Sequence, residues 1–402
     1  MKYFKLLEEC YLVSGEKESA IYNILSGDVF IVNSVEKELL AQTESNIPVI
    51  EACEKIGLKI ETAKAYLNNL IEAKLGKYAE TPLTVEKLEL LPKWMEKIFF
   101  KLPPVINRAT IEIGTRCDLS CDFCGSKSKI NKMKCLSCNG DGNNEFIELN
   151  MAYEIIDILA IYNCKQIYIK GGNLLLDWNK VKKIVEYAIK TGINNIVLNI
   201  VSSIKDNEII EYIKEKKITL MVQKYIKEDF NIWQLFDEVK IYEGINVTYL
   251  FLADYRIKND VYNLYKSLTE HNFQNIMFDF FVPNDRELVP KEYIKDLSRL
   301  QRVSMESISI SKKYNPCFFQ SCFFDNEGNI YPCSGLREFM YGNINNISAT
   351  FKEENLNKYW KLNKDSLSEC KSCELRYACD DCRGLTYALT NDLDGNIFCI
   401  KK

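Results

Sequence analysis

Histidine is almost absent from this sequence of 402 residues, which contains only His271. A single histidine argues against Cys/His zinc sites, Ser-His-Asp triads and haem ligation by histidine. The apolar runs are short, and stretches such as VTYLFLADY fall well below the about 20 residues that a membrane-spanning helix needs. With 52 basic and 56 acidic side chains the charge is nearly balanced, which argues against a nucleic-acid or membrane-surface partner.

Cysteine, by contrast, is abundant, with sixteen residues that fall mostly in tight clusters. The N-terminal residues show no cleavable export signal, so we expect a cytoplasmic protein and not a disulfide-rich secreted one. The apolar fraction of 47% is sufficient for large hydrophobic cores in two or three domains. The clustered thiols therefore predict metal or redox chemistry.

The residue pattern divides the chain into four parts. Residues 1–80 combine three short strands with helices, two of which resemble a helix-turn-helix, so we expect a small winged helix-turn-helix-like domain. Residues 81–108 contain several prolines and form a linker. Residues 109–300 alternate strands and helices, which predicts an α/β domain with parallel strands, a partial (β/α)6 TIM-type barrel. Residues 301–402 are rich in cysteine, glycine and asparagine, and we expect bound metal and not a large apolar core to hold them together.

Three cysteines, Cys117, Cys121 and Cys124, directly follow the first strand of the α/β part in the segment TRCDLSCDFCGSKS. Their C-x-x-x-C-x-x-C spacing puts three thiolates on one short loop at the carboxyl end of a strand, where α/β barrels carry their chemistry. Three thiolates can hold three irons of a 4Fe–4S cluster and leave the fourth iron open. A zinc knuckle or packed core thiols are the alternative, although no histidine and no fourth cysteine lie in register.

This loop and its position resemble those of the radical S-adenosylmethionine (SAM) superfamily. The resemblance implies that Cys117, Cys121 and Cys124 hold a SAM-binding 4Fe–4S cluster and that Phe123 packs near the adenine of SAM. It also implies reductive cleavage of SAM to a 5′-deoxyadenosyl radical, which takes a hydrogen atom from the substrate, and an electron donor such as flavodoxin or ferredoxin.

A second match to this superfamily lies at the end of the second strand of the α/β part, in IYIKGGNLLLDW. It is similar to the family's Gly-Gly-Glu motif, in which Gly171 and Gly172 would let the backbone approach the methionine part of SAM. Asn173 replaces the glutamate, and its amide oxygen can still accept from the SAM ammonium without the strength of a charged acceptor. A weaker match, VLNIVSS, makes Asn199 and Ser202 candidates for ribose contacts, although serine is also common at strand ends without a ligand.

Eight further cysteines lie in the C-terminal part, most of them in CFFQSCFFDNEGNIYPC and CKSCELRYACDDC. This pattern resembles the SPASM domain, which extends radical SAM enzymes and holds two auxiliary clusters, making three 4Fe–4S clusters in all. Eight thiolates suit two fully ligated clusters, and zinc ribbons are the alternative. The resemblance implies interleaved ligands: a nearer set of Cys317, Cys322, Cys333 and Cys382, and a farther set of Cys370, Cys373, Cys379 and Cys399.

Five cysteines remain outside these sets. Cys10, Cys53 and Cys164 lie in apolar strand or helix patterns, and we expect them to be packed core thiols. Cys135 and Cys138 form a C-x-x-C pair in a polar loop. This pair is either an additional redox or metal pair near the substrate or an incidental one, and the latter is favoured because two ligands do not complete a tetrahedral site.

The N-terminal part resembles the PqqD-like recognition element of maturases of ribosomally synthesised peptides. With nine lysines, thirteen acidic residues and no arginine, residues 1–80 are unsuited to reading DNA. An extended peptide could instead pair with the exposed edge of the strand Val29–Val32. The whole chain thus resembles a radical SAM/SPASM peptide maturase that binds the leader of a precursor peptide and installs a thioether or carbon–carbon crosslink. The alternatives are protein oxidation of the sulfatase-maturing type and a non-catalytic iron–sulfur regulator.

Overall fold

The N-terminal part combines two small sheets with three helices. The computed structural model describes residues 2–100, 105–121, 123–124, 129–138, 145–227, 230, 232–271, 273, 275–294, 300–380, 382–397 and 399. The first elements are β1 (Tyr3–Leu6), β2 (Cys10–Ser14), β3 (Ser19–Asn23), β4 (Val29–Val32), α1 (Ser34–Glu44), α2 (Val49–Ile56), α3 (Ile60–Glu72) and β5 (Gly76–Ala79).

The three predicted N-terminal strands are confirmed as the antiparallel sheet β2-β3-β4, and the structure adds a β1-β5 pair. One face of the three-stranded sheet packs on the helices, where Ile21 and Val32 are buried with Leu67 of α3. The other face contacts the C-terminal part, since the hydroxyl of Tyr22 donates to the carbonyl of Glu374 at 2.8 Å. The N-terminal domain is therefore docked on the cysteine-rich part of the chain.

A large sheet and its helices make up the middle of the chain. Its strands alternate with helices as the sequence predicts. The elements are α4 (Lys93–Phe99), β6 (Arg108–Glu112), β7 (Lys129–Ile130), α5 (Leu149–Ile161), β8 (Gln166–Lys170), α6 (Trp178–Lys190), β9 (Asn195–Ile200), α7 (Asn207–Glu215), β10 (Thr219–Ile226), α8 (Ile232–Ile241), β11 (Val247–Asp254), α9 (Lys258–Glu270), β12 (Ile276–Pro283) and α10 (Lys291–Ile294).

Three strands of the C-terminal part, β13 (Ser321–Phe324), β14 (Asn329–Tyr331) and β15 (Gly342–Asn343), join this sheet. In the described residues its order is β15-β14-β13-β6-β8-β9-β10-β11-β12-β7. Within this sheet β6, β8, β9, β10, β11 and β12 follow one another, and each pairs in parallel with the next. This confirms the six predicted strands. The result is a mixed α/β fold with a large parallel-rich sheet, and closure of this sheet into a barrel stays a prediction. No helix in the described part of the chain is both long and apolar enough to cross a membrane.

The two faces of the sheet differ in what covers them. On one face Ile167, Leu198 and Val222 pack with the helices in the main hydrophobic core. Because side chains alternate along a strand, their neighbours Val197 and Met221 point to the opposite face, where a smaller apolar cluster forms. This opposite face, called the inner face below, also carries buried polar side chains, and it positions the candidate site.

The C-terminal part extends the same sheet. Its strand β13 pairs in parallel with β6, and buried residues such as Phe318, Phe324 and Trp360 belong to the main core. The expectation that this part lacks an apolar core is therefore wrong. Because β13 joins the large sheet, apolar side chains of the C-terminal part pack in the main core of the middle part of the chain. The elements are α11 (Met305–Lys313), β13 (Ser321–Phe324), β14 (Asn329–Tyr331), β15 (Gly342–Asn343), α12 (Ile347–Thr350), α13 (Glu353–Trp360) and α14 (Arg383–Thr390).

Candidate functional site

The loop that follows β6 crosses the carboxyl end of β8 in direct backbone contact. The N–H of Gly172 donates to the carbonyl of Gly114 at 3.0 Å. The N–H of Asn173 donates to the carbonyl of Arg116 at 2.9 Å. A Cβ at Gly171 would lie 2.6 Å from the Gly114 oxygen, and one at Gly172 would overlap the Arg116 carbonyl, so both positions require glycine. The loop and the Gly-Gly motif, which the sequence assigned to one site, lie together.

The three cysteines of this loop are accessible. Cys117, Cys121 and Cys124 are each partly exposed, and the N–H of Cys124 donates to the Cys121 carbonyl at 2.9 Å in a tight turn. Three accessible thiols without a histidine fit an iron–sulfur cluster better than a zinc site. In the described residues no group of three Cys, His, Asp or Glu side chains converges closely enough to hold a single metal ion.

Asn173 links the two motifs through its side chain. Its amide nitrogen donates to Oδ1 of Asp118 at 2.8 Å, and its oxygen accepts from the Ser202 hydroxyl at 3.1 Å. Asp118 thereby brings a carboxylate close to the position where the family motif has its glutamate. Sequence reasoning missed Asp118, and its only signal is that it directly follows the first cysteine of the loop. Asn173 and Ser202, both predicted SAM contacts, are brought together.

Phe123 and Asn199 lie on the inner face. The Phe123 ring stacks on Phe281 with centroids 4.4 Å apart and meets the Tyr225 ring edge-on at 5.0 Å. The amide nitrogen of Asn199 donates to the carbonyl of Leu136 at 3.1 Å, whereas its buried Oδ1 has no hydrogen-bond partner within the described ranges. An aromatic surface and an available buried acceptor on one face fit a nucleoside ligand.

Residues 131–138, called the inner segment below, lie against the inner face, where polar side chains from four strands bind them. Lys170 donates from Nζ to the carbonyls of Lys134 and Ser137 at 2.8 and 3.1 Å. The Met133 N–H donates to Oδ2 of Asp279 at 2.6 Å. Further bonds join the Asn131 amide to Asp279 at 2.8 Å, the Asn199 amide to the Leu136 carbonyl at 3.1 Å, and the Cys138 N–H to Gln223 at 2.8 Å.

Two of these side chains are ionisable, and burial disfavours their charged forms. Lys170 and Asp279 are 1% and 5% exposed. Burial lowers the pKa of Lys170, against the opposing effect of Glu112, and burial raises the pKa of Asp279, against hydrogen bonds from Met133 and Asn131. Both groups therefore depend on the inner segment for their hydrogen bonds. In the sequence, this arrangement is indicated by a polar residue that interrupts an otherwise apolar strand, such as the lysine of IYIK.

A cavity of about 350 Å³ adjoins the inner segment and the C-terminal part. Cys317, Cys322, Cys333 and Cys382, the whole predicted nearer set, border this cavity, and so does Cys135. Burial raises the pKa of Cys333 to about 12, and charges on Cys135 and Cys317 act in the same direction. A bound metal reverses this preference because a coordinating thiol is deprotonated. The cavity therefore fits the predicted cluster, with one thiol more than the sequence assigned.

The predicted farther set lies in the C-terminal turns near the N-terminal domain. The buried thiol of Cys370 accepts from the Asn396 amide at 3.3 Å, and the N–H of Cys373 donates to the Cys370 carbonyl at 2.9 Å. Cys379 and Cys399 are partly exposed. These contacts define a compact turn at the first pair, and the sharing of one cluster by all four thiols stays a prediction.

Comparison by sequence finds few relatives. No family model matches the chain. An uncharacterized protein of Methanocaldococcus jannaschii is 27% identical over 276 residues, which cover 58% of this chain and 87% of that protein. The sequence comparison therefore does not by itself place the chain in a family.

Comparison by structure shows a fold similar to that of anSMEcpe. The structure of anSMEcpe with bound AdoMet aligns with a TM-score of 0.54 and 16% identity over 74% of this chain and 91% of that chain. Native anSMEcpe with AdoMet and the Cp18Cys peptide gives 0.53 and 14% over 74% and 94%. SuiB of Streptococcus suis covers 94% of this chain and 96% of its own, at 11% identity and a TM-score of 0.43. The first two likenesses show the fold alone.

Proposed function

We propose that this chain is a radical SAM maturase that crosslinks a ribosomally synthesised precursor peptide. In this proposal residues 1–80 recognise the leader, 81–108 form a linker, 109–300 form the radical SAM core, and 301–402 form a SPASM domain with two auxiliary clusters. The observation that carries the proposal is the contact of the three-cysteine loop with the Gly-Gly-Asn end of β8. It occurs in a sheet similar to that of anSMEcpe, which has been solved with AdoMet.

The residues around this contact would bind the core cluster and SAM. The three thiols of the loop would hold the cluster, while Asn173, Ser202 and Asp118 would orient the polar part of SAM. Phe123 would pack against the adenine, and the free Oδ1 of Asn199 is available as a further acceptor. When bound, the cluster supplies the electron that cleaves SAM, and the resulting 5′-deoxyadenosyl radical takes a hydrogen atom from the peptide.

The cysteine-rich part would complete the oxidation. A crosslink removes two hydrogen atoms from the peptide: one would leave with the 5′-deoxyadenosyl group and the other as a proton, and an auxiliary cluster held by the C-terminal thiols would supply the acceptor for the remaining electron. A flavodoxin or ferredoxin would supply the electron for SAM cleavage. The cavity bordered by the nearer set of thiols lies against the inner segment, which also reaches the Gly-Gly end of β8, since the Cys138 thiol lies 4.0 Å from the Gly172 carbonyl oxygen.

The N-terminal sheet offers one edge for a peptide. The end of β2 contacts the C-terminal part, where Arg376 donates to the carbonyl of Ser14 at 3.2 Å. The other edge strand, β4, carries Phe30 and Ile31 with exposures of 37% and 52%. An extended peptide can pair with such an edge and place apolar side chains on these residues. The leader would therefore dock on β4.

Oxidation of a cysteine or serine in a protein is the second candidate, because the likeness to anSMEcpe includes a structure with the Cp18Cys peptide. A non-catalytic iron–sulfur regulator is the third possibility that the sequence left open. Reduced, reconstituted protein incubated with SAM separates an enzyme from a regulator, since only an enzyme forms 5′-deoxyadenosine. Mass spectrometry of the peptide product then separates the two reactions. A crosslink removes two hydrogen atoms and yields linked fragments, whereas oxidation to an aldehyde yields a product that reacts with hydrazines.

A further inference from the structure

Cys135 belongs to the C-x-x-C pair to which the SPASM resemblance gives no role, and its backbone is fixed from two sides. Lys170 on β8 binds the carbonyls of Lys134 and Ser137, which flank Cys135 in the inner segment. From the C-terminal part, the hydroxyl of Ser334 donates to the same Lys134 carbonyl at 3.0 Å. The position of Cys135 between the sheet and the C-terminal part is therefore set by specific hydrogen bonds.

The inner segment is a permanent part of the fold and not a removable cover. Asp279 is almost fully buried, and its carboxylate accepts from the N–H of Met133 and the amide of Asn131. Removal of the segment would leave this carboxylate without these donors, which is strongly unfavourable in a buried position. Cys135 therefore stays where the structure places it.

The cavity at Cys135 collects thiols from three other segments. Cys317 precedes β13, Cys333 follows β14, and Cys382 caps the start of α14. The Cys382 thiol lies 3.6 Å from the carbonyl oxygen of Lys132 in the inner segment, so the two segments are in contact. Cys135 itself is exposed, although it lies in the concave wall of the cavity. Four thiols from four segments thus border one space.

Cys322 also borders the cavity, but strand alternation turns its side chain away from the inner face. Its neighbour Phe323 points to the inner face, with the Nζ of Lys170 5.4 Å from its ring centroid. Cys322 is 2% exposed and packs with Phe324 and Cys164 in the helix-covered core. It therefore has the surroundings of a packed core thiol.

We propose that Cys135 is the fourth thiolate of the auxiliary 4Fe–4S cluster held by Cys317, Cys333 and Cys382, in place of Cys322. This assignment rests on the proposed function, which supplies the auxiliary cluster. The sequence resemblance assigns no role to the inner segment. In this assignment the segment belongs to the core domain and contributes one ligand to the cluster of the C-terminal part.

The test uses the full-length chain with the core cluster removed, so that only auxiliary clusters contribute to the signal. The parent variant has Cys117, Cys121 and Cys124 replaced by alanine. Cys135→Ala and Cys322→Ala are added to it separately, as a matched pair of thiols that border the same cavity. After anaerobic reconstitution, iron and sulfide are measured, and EPR spectra are recorded after mild oxidation. Circular dichroism shows that each variant is folded.

We expect Cys135→Ala to open one iron of the cluster, so that oxidation removes this iron and produces the EPR signal of a three-iron cluster. Cys322→Ala should keep the parent spectrum and iron content. A three-iron signal in Cys322→Ala alone, or in neither variant, would overturn the assignment of Cys135. A parent variant that holds no iron would overturn the auxiliary clusters of the proposed function, and the ligand assignment with them.

Discussion

The amide nitrogen of Asn173 donates to Oδ1 of Asp118 over 2.8 Å and so connects the end of β8 with the three-cysteine loop. A glutamate or aspartate at residue 173 could not donate this bond. Asn173 and Asp118 are therefore matched, and together they present one carboxylate, as the glutamate of the family motif does. This pairing gives a physical reason for an asparagine where the Gly-Gly-Glu motif that this segment resembles has glutamate.

Asn173→Asp would replace the hydrogen bond with contact between two carboxylates. We expect the free energy of unfolding to fall by about 1–3 kcal/mol, because a part-buried hydrogen bond is lost and like charges are brought together. SAM cleavage should slow as the loop moves. Thermal unfolding and 5′-deoxyadenosine formation measure both effects, with the exposed Asn194→Asp as the control. Equal stability of the two variants would contradict the pairing.

Phe123→Ala tests the aromatic part of the proposed SAM site. Loss of the ring removes a stacking surface worth about 0.5–1.5 kcal/mol, so we expect the Kd for SAM to rise by roughly two- to tenfold. Equilibrium dialysis with the reconstituted protein gives the Kd. Leu119→Ala, at a partly exposed position on the same loop, is the matched control. An unchanged Kd in Phe123→Ala would mean that the ring packs on Phe281 and Tyr225 without contacting SAM.

Asp279→Ala tests the anchoring of the inner segment. The substitution removes the acceptor of the Met133 N–H and the closer of two acceptors of the Asn131 amide, which should lower the free energy of unfolding by about 1–3 kcal/mol. Denaturant unfolding gives this value, and faster hydrogen exchange at the Met133 amide would locate the effect. Asp237→Ala on the exposed side of α8 should leave both unchanged. A stable variant with a protected Met133 amide would show that other bonds hold the segment.

The sheet could be predicted from the sequence because its signal is local. Each of the six parallel strands is a short apolar run bounded by turns, so the pattern gave both their number and their order along the chain. The β1-β5 pair was missed, since Tyr3–Leu6 and Gly76–Ala79 are far apart in sequence and each is too short to indicate a partner. The pairing of β13 with β6 was missed for the same reason, and with it the core of the C-terminal part.

The cysteine motifs could be located from the sequence because residue type and spacing alone define them, and their role as cluster ligands stays a prediction. Asp118 was not predictable, because an aspartate in a polar loop is ordinary until its contact with Asn173 is seen. Cys135 was set aside as incidental, since two thiols do not make a metal site. Only the folded chain brings it to a cavity with Cys317, Cys333 and Cys382.

Ile31→Lys tests recognition of the leader. A charged side chain on the exposed edge strand β4 should weaken binding of the precursor peptide at least tenfold, because it removes an apolar contact surface. SAM cleavage without peptide should not change. Fluorescence anisotropy with labelled leader peptide measures the affinity. Ile50→Lys on α2 is the matched control, since Ile50 is 47% exposed and Ile31 is 52% exposed. Equal loss of affinity in both variants would indicate a different docking surface.

Formation of 5′-deoxyadenosine from SAM by the reduced, reconstituted protein tests the central claim most directly. We expect the wild-type chain and a Cys53→Ala control, which loses a core thiol of the N-terminal domain, to form it at similar rates. The variant with Cys117, Cys121 and Cys124 replaced by alanine should form none, although it still holds auxiliary iron. If the wild-type chain forms no 5′-deoxyadenosine, or if the triple variant forms it as fast as the wild type, this site does not carry radical SAM chemistry.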